Sequence, residues 1–193
     1  LDPRINDHPD LSLFKNSDKT LIVDKSVISY YEDKLKGYRL IGGENVGLRY
    51  PKDALYNVVR FKDFYIHNDV TEKNIENFFK EKGISHLKVN QGYTRCCHIP
   101  LRDLLITSDY GIYKALVNKV DICLVENDDI ILDGFDQGFL GGTCGLVGDK
   151  LIFTGDIRNH KAYPSIEEIC QKKNIKPIYP ETHLVDLGSI IEI

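Results

Sequence analysis

At 193 residues, 42% hydrophobic and 28% charged, the chain falls in the globular range and can bury one sizeable core, so a single domain over residues 1–193 is expected. A net charge of −4, from 25 basic and 29 acidic side chains, leaves no electrostatic footprint for nucleic acid or an anionic membrane. No apolar run approaches the roughly 20 residues that span a bilayer. Five cysteines without CxxC or paired zinc spacing read as thiols in a reducing cytoplasm, with no metal and no cofactor expected. There is no methionine, so the chain is read as processed, trimmed or part of something longer.

One figure recurs along the sequence: a charged residue, three apolar residues, then an aspartate. Its apolar parts begin at Leu21, Phe64, Leu104 and Leu151, in steps of 43, 40 and 47 residues, the period of a repeat architecture. The first unit reads as a strand over Asp10 to Phe14, a second over Leu21 to Val23, a helix with Val27, Tyr30, Tyr31 and Leu35 on one face, and a strand over Tyr38 to Ile41. In the second, Tyr56 to Arg60 pairs with Phe64 to His67, a helix runs from Asp69 to Lys82 with Ile75, Phe78 and Phe79 at helical spacing, Gly83 ends it, and His86 to Val89 returns as a strand. The third has Cys96 to Ile99, Leu104 to Thr107, a helix from Asp109 to about Asn118 and Asp121 to Val125. The fourth has Thr143 to Val147, Leu151 to Thr154, a helix from Ser165 to Lys173 begun by a Ser165/Glu168 capping box, and Lys176 to Tyr179. Each unit is ββαβ, and Leu187 to Glu192 is left over as the opening strand of a partial fifth. The repeated Asp24, Asp69, Asp109 and Asp156 precede helices, where a carboxylate accepts from backbone amides.

Loops between the units are rich in glycine and polar residues, and loops are where sites sit. They are Gly42 to Gly47, Asn90 to Tyr93, Asn127 to Gly142 and Pro180 to Asp186. Within the third, Gly134 to Gly142 mixes aromatics with glycine, which fits a pocket mouth and fits a surface turn equally well.

Four ββαβ units, part of a fifth and the terminal Asp186-Leu187-Gly188-Ser189-Ile190-Ile191-Glu192 resemble the pentein fold, an α/β propeller with pseudo-fivefold symmetry. That family includes arginine and agmatine deiminases, dimethylarginine dimethylaminohydrolases and amidinotransferases. Gln91-Gly92-Tyr93, Gly138-Phe139-Leu140-Gly141-Gly142 and Asp186-Leu187-Gly188-Ser189 resemble motifs of a branch of this fold without the usual catalytic Cys and His. The resemblance implies a small guanidino- or amino-acid-like ligand in an axial pocket, and C–N hydrolase or amidinotransferase chemistry if the chain is an enzyme. The family's cysteine, however, falls here on Glu192 or Ile191, and the strand where its histidine belongs, Phe139 to Val147, has none. The same fold also serves a ribosome anti-association factor that lacks catalytic residues, so a non-catalytic binding module is the alternative.

In such a ring the opening strands face one axis. Counting seven residues back from each second strand gives Phe14, Asn57, Cys97 and Cys144, which are expected to converge. Cys144 or Cys97 is then the candidate nucleophile, with Arg60, Arg95 and His98 at hand to activate it. Asp10, Asn57, Tyr93 and Glu192 are the candidate ligand contacts, carboxylates among them holding a cation. The simpler reading of the two thiols is as small buried hydrophobes.

Overall fold

Each of the four figures becomes the middle strand of its own three-stranded sheet, which explains why it is so apolar. The computed structural model describes residues 1–193. The first sheet has β1 (Leu13–Ser17), β2 (Thr20–Asp24) and β3 (Arg39–Gly43), and the second β4 (Val59–Phe61), β5 (Phe64–His67) and β6 (Ser85–Lys88). The third has β7 (His98–Pro100), β8 (Leu105–Thr107) and β9 (Ile122–Leu124), the fourth β10 (Cys144–Val147), β11 (Lys150–Phe153) and β12 (Lys176–Ile178). In every sheet the first two strands are antiparallel and the third runs parallel to the second, after a helical crossover. Successive side chains point to opposite faces, and the consecutive pairs Leu21/Ile22 and Leu105/Ile106 are buried, so these middle strands are covered on both faces; Ile66 and Leu151 are fully buried too.

The charged residues just before the middle strands belong to tight turns, except Lys150, which already pairs with Val147 in the ladder. Two residues separate each hairpin's innermost partners, Asp18-Lys19, Lys62-Asp63, Arg102-Asp103 and Gly148-Asp149. In two of the four, the first turn residue, Lys62 or Gly148, takes positive φ, 54° and 60° respectively, as in the primed two-residue turns.

The crossover helices are α1 (Ile28–Lys34), α2 (Lys73–Glu81), α3 (Tyr110–Leu116) and α4 (Tyr163–Lys172). Gly83 ends α2 as expected, with φ 66°, and Ile84 N–H closes the motif on Phe79 O at 2.9 Å. Asn174, φ 52°, does the same after α4, with Ile175 N–H on Cys170 O at 2.9 Å. The starts follow the sequence less closely. Asp109 caps α3, accepting from Ile112 N at 2.9 Å, but α2 is capped by Glu72 rather than Asp69. Glu72 is fully buried and accepts from the backbone N–H of Ile75 and Glu44 and from Asn74 Nδ2, whereas Asp69 lies outside with Lys88. Ser165 and Glu168 form no capping box, because α4 starts two residues earlier, at Tyr163 with Pro164 in its first turn, and Glu168 pairs with Lys172. No residue of α1 is buried, against the expected apolar face.

The chain divides into two compact units, residues 1–94 with Ile193, and residues 95–192. In the first, Phe14, Ile22, Tyr56, Tyr65, Ile75 and Phe79 form a core shared by two ββαβ repeats, with the Tyr65 and Phe79 rings stacked at 4.4 Å. In the second, Ile99, Ile106, Leu140, Cys144, Leu151, Phe153 and Ile166 do the same for the other pair.

The expected fifth-unit strand over Leu187 to Glu192 is absent. Gly188 and Ser189 both take positive φ, 73° and 53°, which curls the chain and prevents an extended ladder. The tail still follows β10: Leu187 and Ser189 N–H both reach Gly142 O, and Ile190 N–H reaches Cys144 O, each at 3.1 Å. Of the partial fifth unit, a single parallel bridge forms between Ile131 and Val185.

Candidate functional site

The two loops of the second unit that the sequence marks as site-bearing, Asn127 to Gly142 and Pro180 to Asp186, lie against each other. Asp186 N–H donates to Ile131 O at 2.8 Å and Ile131 N–H to Leu184 O at 3.3 Å. A third segment, Thr154 to His160 after β11, joins them through Asp156 N–H on Thr182 O at 2.8 Å and Thr154 Oγ1 on Val185 O at 2.5 Å. Gly155 permits this approach, since a Cβ there would sit 2.1 Å from His183 O. The three segments wall a cleft of about 470 Å³, within the range of small-molecule sites.

Its charge is mostly acidic: Asp128 and Asp129 from the first wall, Asp156 from the third, Glu181 from the second, with His160 and His183 beside them. Two of the carboxylates are already neutralised. Asp156 accepts from Arg158 Nε at 2.9 Å and Nη2 at 2.7 Å, and this guanidinium holds its carboxyl down at about 2. Asp128 accepts Lys161 N–H at 3.1 Å and pairs with its ammonium at 3.2 Å, so its pKa is also lowered, chiefly by that backbone bond. Asp129 is exposed, and the side chain of Glu181 is 90% exposed, with Arg158 3.9 Å away. Both carboxylates therefore remain open to whatever enters.

His160 is different in kind. It is only 6% exposed, its Nδ1 accepts Ala162 N–H at 3.0 Å, and its Nε2 has no hydrogen-bond partner. Burial lowers its pKa. The sequence reading passed over His160, Asn159, His183 and Glu181. The one available signal was the position of the two loops.

A smaller cavity of about 150 Å³ opens on the other part of the long loop, lined by Cys97, Ser108, Asp109, Asn127, Gln137 and Phe139. The loop is held there by Asp186, which is buried and accepts from Phe139 N at 2.8 Å and Gly188 N at 3.0 Å. Gly142 leaves room for that carboxylate, since a Cβ would lie 1.9 Å from Asp186 Oδ1. The motifs around Gly138 to Gly142 and Asp186 to Ser189 thus form one packed unit.

The residues chosen from the sequence fall as follows. Cys97 lines the small cavity, and its carbonyl accepts Thr107 Oγ1 at 2.8 Å. Cys144 is fully buried, its Sγ 3.8 Å from Leu140 O, and burial pushes its thiol up to about 12 despite nearby Arg95. In the first unit, Asn57 Nδ2 reaches the backbone carbonyl of Asp10 at 3.5 Å, and both residues are buried. Tyr93 donates to Asp53 Oδ2 at 2.8 Å, and Glu192 is exposed. The seven-residue count does not give one register. Cys144 pairs with Phe153 and Phe14 with Ile22 inside their ladders, while Asn57 and Cys97 precede the first paired residues of theirs. A bulge between Lys15 and Ser17 shifts the first sheet again.

With four ββαβ repeats of this connectivity, the fold is the pentein fold. The chain resembles a dimethylarginine dimethylaminohydrolase solved as an adduct with 4-chloro-2-hydroxymethylpyridine, at 11% identity and a TM-score of 0.57, over 94% of this chain and 74% of that one. It resembles the Pseudomonas aeruginosa enzyme, solved as a cysteine-to-serine mutant complexed with citrulline, at 13% identity and a TM-score of 0.58, over 94% and 72%. A histidine-to-glycine form of dimethylarginine dimethylaminohydrolase, solved as an adduct with S-methyl-L-thiocitrulline, matches at 11% identity and 0.56, over 94% and 72%. The chain belongs to the family of unknown function DUF6873, which residues 1–191 match. No curated protein sequence matches it. No helix is long and apolar enough to cross a membrane.

Proposed function

We propose that this chain uses the pentein fold to bind a small guanidino- or amino-acid-like ligand through its cation, in the acid-walled cleft of the second unit, without covalent catalysis. The observation that carries the reading is the charge of that cleft: four carboxylates line it, and Asp129 and Glu181 remain exposed after Arg158 and Lys161 have paired with the other two. A guanidinium offers a planar fork of donors that a carboxylate accepts in pairs. The fold-level likeness to enzymes solved with citrulline and thiocitrulline derivatives supports a ligand of this size and shape, by analogy.

Titration calorimetry tests it. Arginine and agmatine are expected to bind, and citrulline, whose ureido group carries no charge, at least tenfold more weakly. The Asp129→Asn/Glu181→Gln double variant is expected to lose about tenfold in agmatine affinity with no change in unfolding temperature, since both side chains are exposed. Equal binding of arginine and citrulline would refute the reading.

A second reading, C–N bond hydrolysis, draws on one observation: Cys97 lines a cavity with Ser108, Asp109 and Asn127. Cys144 is a poor nucleophile, because a thiol pushed up to about 12 is almost entirely protonated at neutral pH. Under non-covalent binding, iodoacetamide is expected to label Cys123, the one cysteine of the five that is not buried, well before Cys97 or Cys144 in the native protein. Fast labelling of Cys97, suppressed by agmatine, would favour the hydrolase instead.

A further inference from the structure

At the edge of the acidic cleft the chain already holds a guanidinium, and it is its own. Arg158, between β11 and α4, sets its head group against three side chains. Asp156 accepts from Nε at 2.9 Å and from Nη2 at 2.7 Å, the bidentate fork of a guanidinium on a carboxylate. Cζ stands over the Tyr179 ring, 5.1 Å from its centroid, within reach of a cation–π contact. Glu181 Oε1 lies 3.9 Å from Nη2 and adds a second negative charge. Asp156 and Glu181 both line the cleft, so the arrangement opens on a ligand-sized volume.

The receiving groups are fixed independently of the arginine side chain. Asp156 N–H is bonded to Thr182 O at 2.8 Å, and Asp156 Oδ1 also accepts the backbone N–H of Arg158 at 3.0 Å, a bond that stays when the side chain swings away. Tyr179 packs edge-on against Tyr163, with ring centroids 6.1 Å apart and planes at 90°. Arg158, by contrast, hangs on a long side chain that is 47% exposed, and exposed ion pairs hold their partners weakly. A guanidinium from solution brings the same planar fork and can take its place. An ammonium is a point charge and matches the fork and the ring less well.

We infer that Arg158 is an autoinhibitory contact, an internal competitor lodged in a guanidinium subsite made by Asp156, Tyr179 and Glu181, and that a guanidino ligand binds in the cleft by exchanging with it. This rests on the cation-binding reading above and adds the end group that the ligand must carry and the contact that controls its entry.

The test compares two monocations of the same chain length, pentylguanidine and pentylamine, by calorimetry. Arg158→Ala keeps the backbone N–H that orients Asp156 and empties the subsite. It is expected to bind pentylguanidine roughly fivefold more tightly than the wild type does, the gain from removing a weakly held resident. Pentylamine is expected to gain no more than about twofold, from the lost charge repulsion alone. In 1H–15N spectra of the wild-type protein, which do not depend on the variant's folding, the Arg158 Nε–H signal is expected to shift on addition of pentylguanidine. Binding of pentylguanidine to the wild type with that signal unmoved, or equal gains for the two compounds in Arg158→Ala, would overturn the inference and leave cation binding intact. Binding by the variant alone would support it, and binding by neither protein would overturn both readings.

Discussion

Replacing Gly141 by alanine is expected to destabilise the second unit by about 3 kcal/mol or more, the cost of forcing atoms into a packed interior. A Cβ at this position would lie 2.1 Å from His98 O, 2.6 Å from Cys96 O and 2.7 Å from Arg95 O. All three are backbone atoms, so no rotamer change can relieve the clash. The segment can yield only by breaking its own bonds, among them Gly142 N–H to Cys96 O at 3.0 Å. At this chain length the loss corresponds to a fall in unfolding temperature of roughly 6–12 °C. Gly111→Ala serves as the control, since it lies in α3 and its nearest neighbour is the side-chain oxygen of Asp109 at 3.1 Å. It is expected to change stability by under about 1 kcal/mol, toward the stable side, because glycine is a poor helix former. Similar unfolding temperatures for the two variants would show that the loop does not need its close approach.

Acid is expected to weaken the first unit well above the pH at which carboxylates titrate. His67 is fully buried, its Nε2 2.9 Å from Gly92 O and its Nδ1 2.8 Å from Thr71 Oγ1, and burial lowers its pKa to about 4. The unfolded chain would titrate near 6.5, so the folded state binds the proton less readily than the unfolded state. The contribution is therefore complete above pH 6.5 and is lost as pH falls from there toward 4, by about 3 kcal/mol in all. Urea unfolding at pH 7.5, 6, 5 and 4.5 measures it. His67→Gln is expected to be less stable at pH 7.5 and to show a flatter dependence over the same range. A wild-type profile that is level between 6.5 and 4.5 would contradict this.

His67 and Gly141 also mark where reading the sequence stopped. His67 was legible only as the last residue of the strand Phe64 to His67, two positions before a helix. Its burial depends on Gly92, 25 residues away, and on the packing of the Gln91-Gly92-Tyr93 loop. The run Gly141-Gly142 was legible as part of a glycine-rich loop that fits a pocket mouth or a surface turn, and what approaches it is set by the packing of a distant segment. The neighbour is the backbone of residues 95–98. Glu72 replaced Asp69 as a helix cap for a similar reason: it also holds Glu44 N–H, across 28 residues.

What the sequence by itself determined was the four-fold recurrence of strand, strand, helix and strand. Middle strands must be apolar on both faces, turns must carry polar or glycine residues, and Gly83 must end a helix, and each of these constraints acts within a few residues. Tertiary structure alone decided where the cavities lie and which charges they keep. Asp128, Asp156, His160 and Glu181 come together because Ile131, Gly155 and Val185 bring three loop segments into backbone contact. No periodicity encodes that contact, because its cohesion comes from hydrogen bonds between residues 26 to 55 positions apart in the chain.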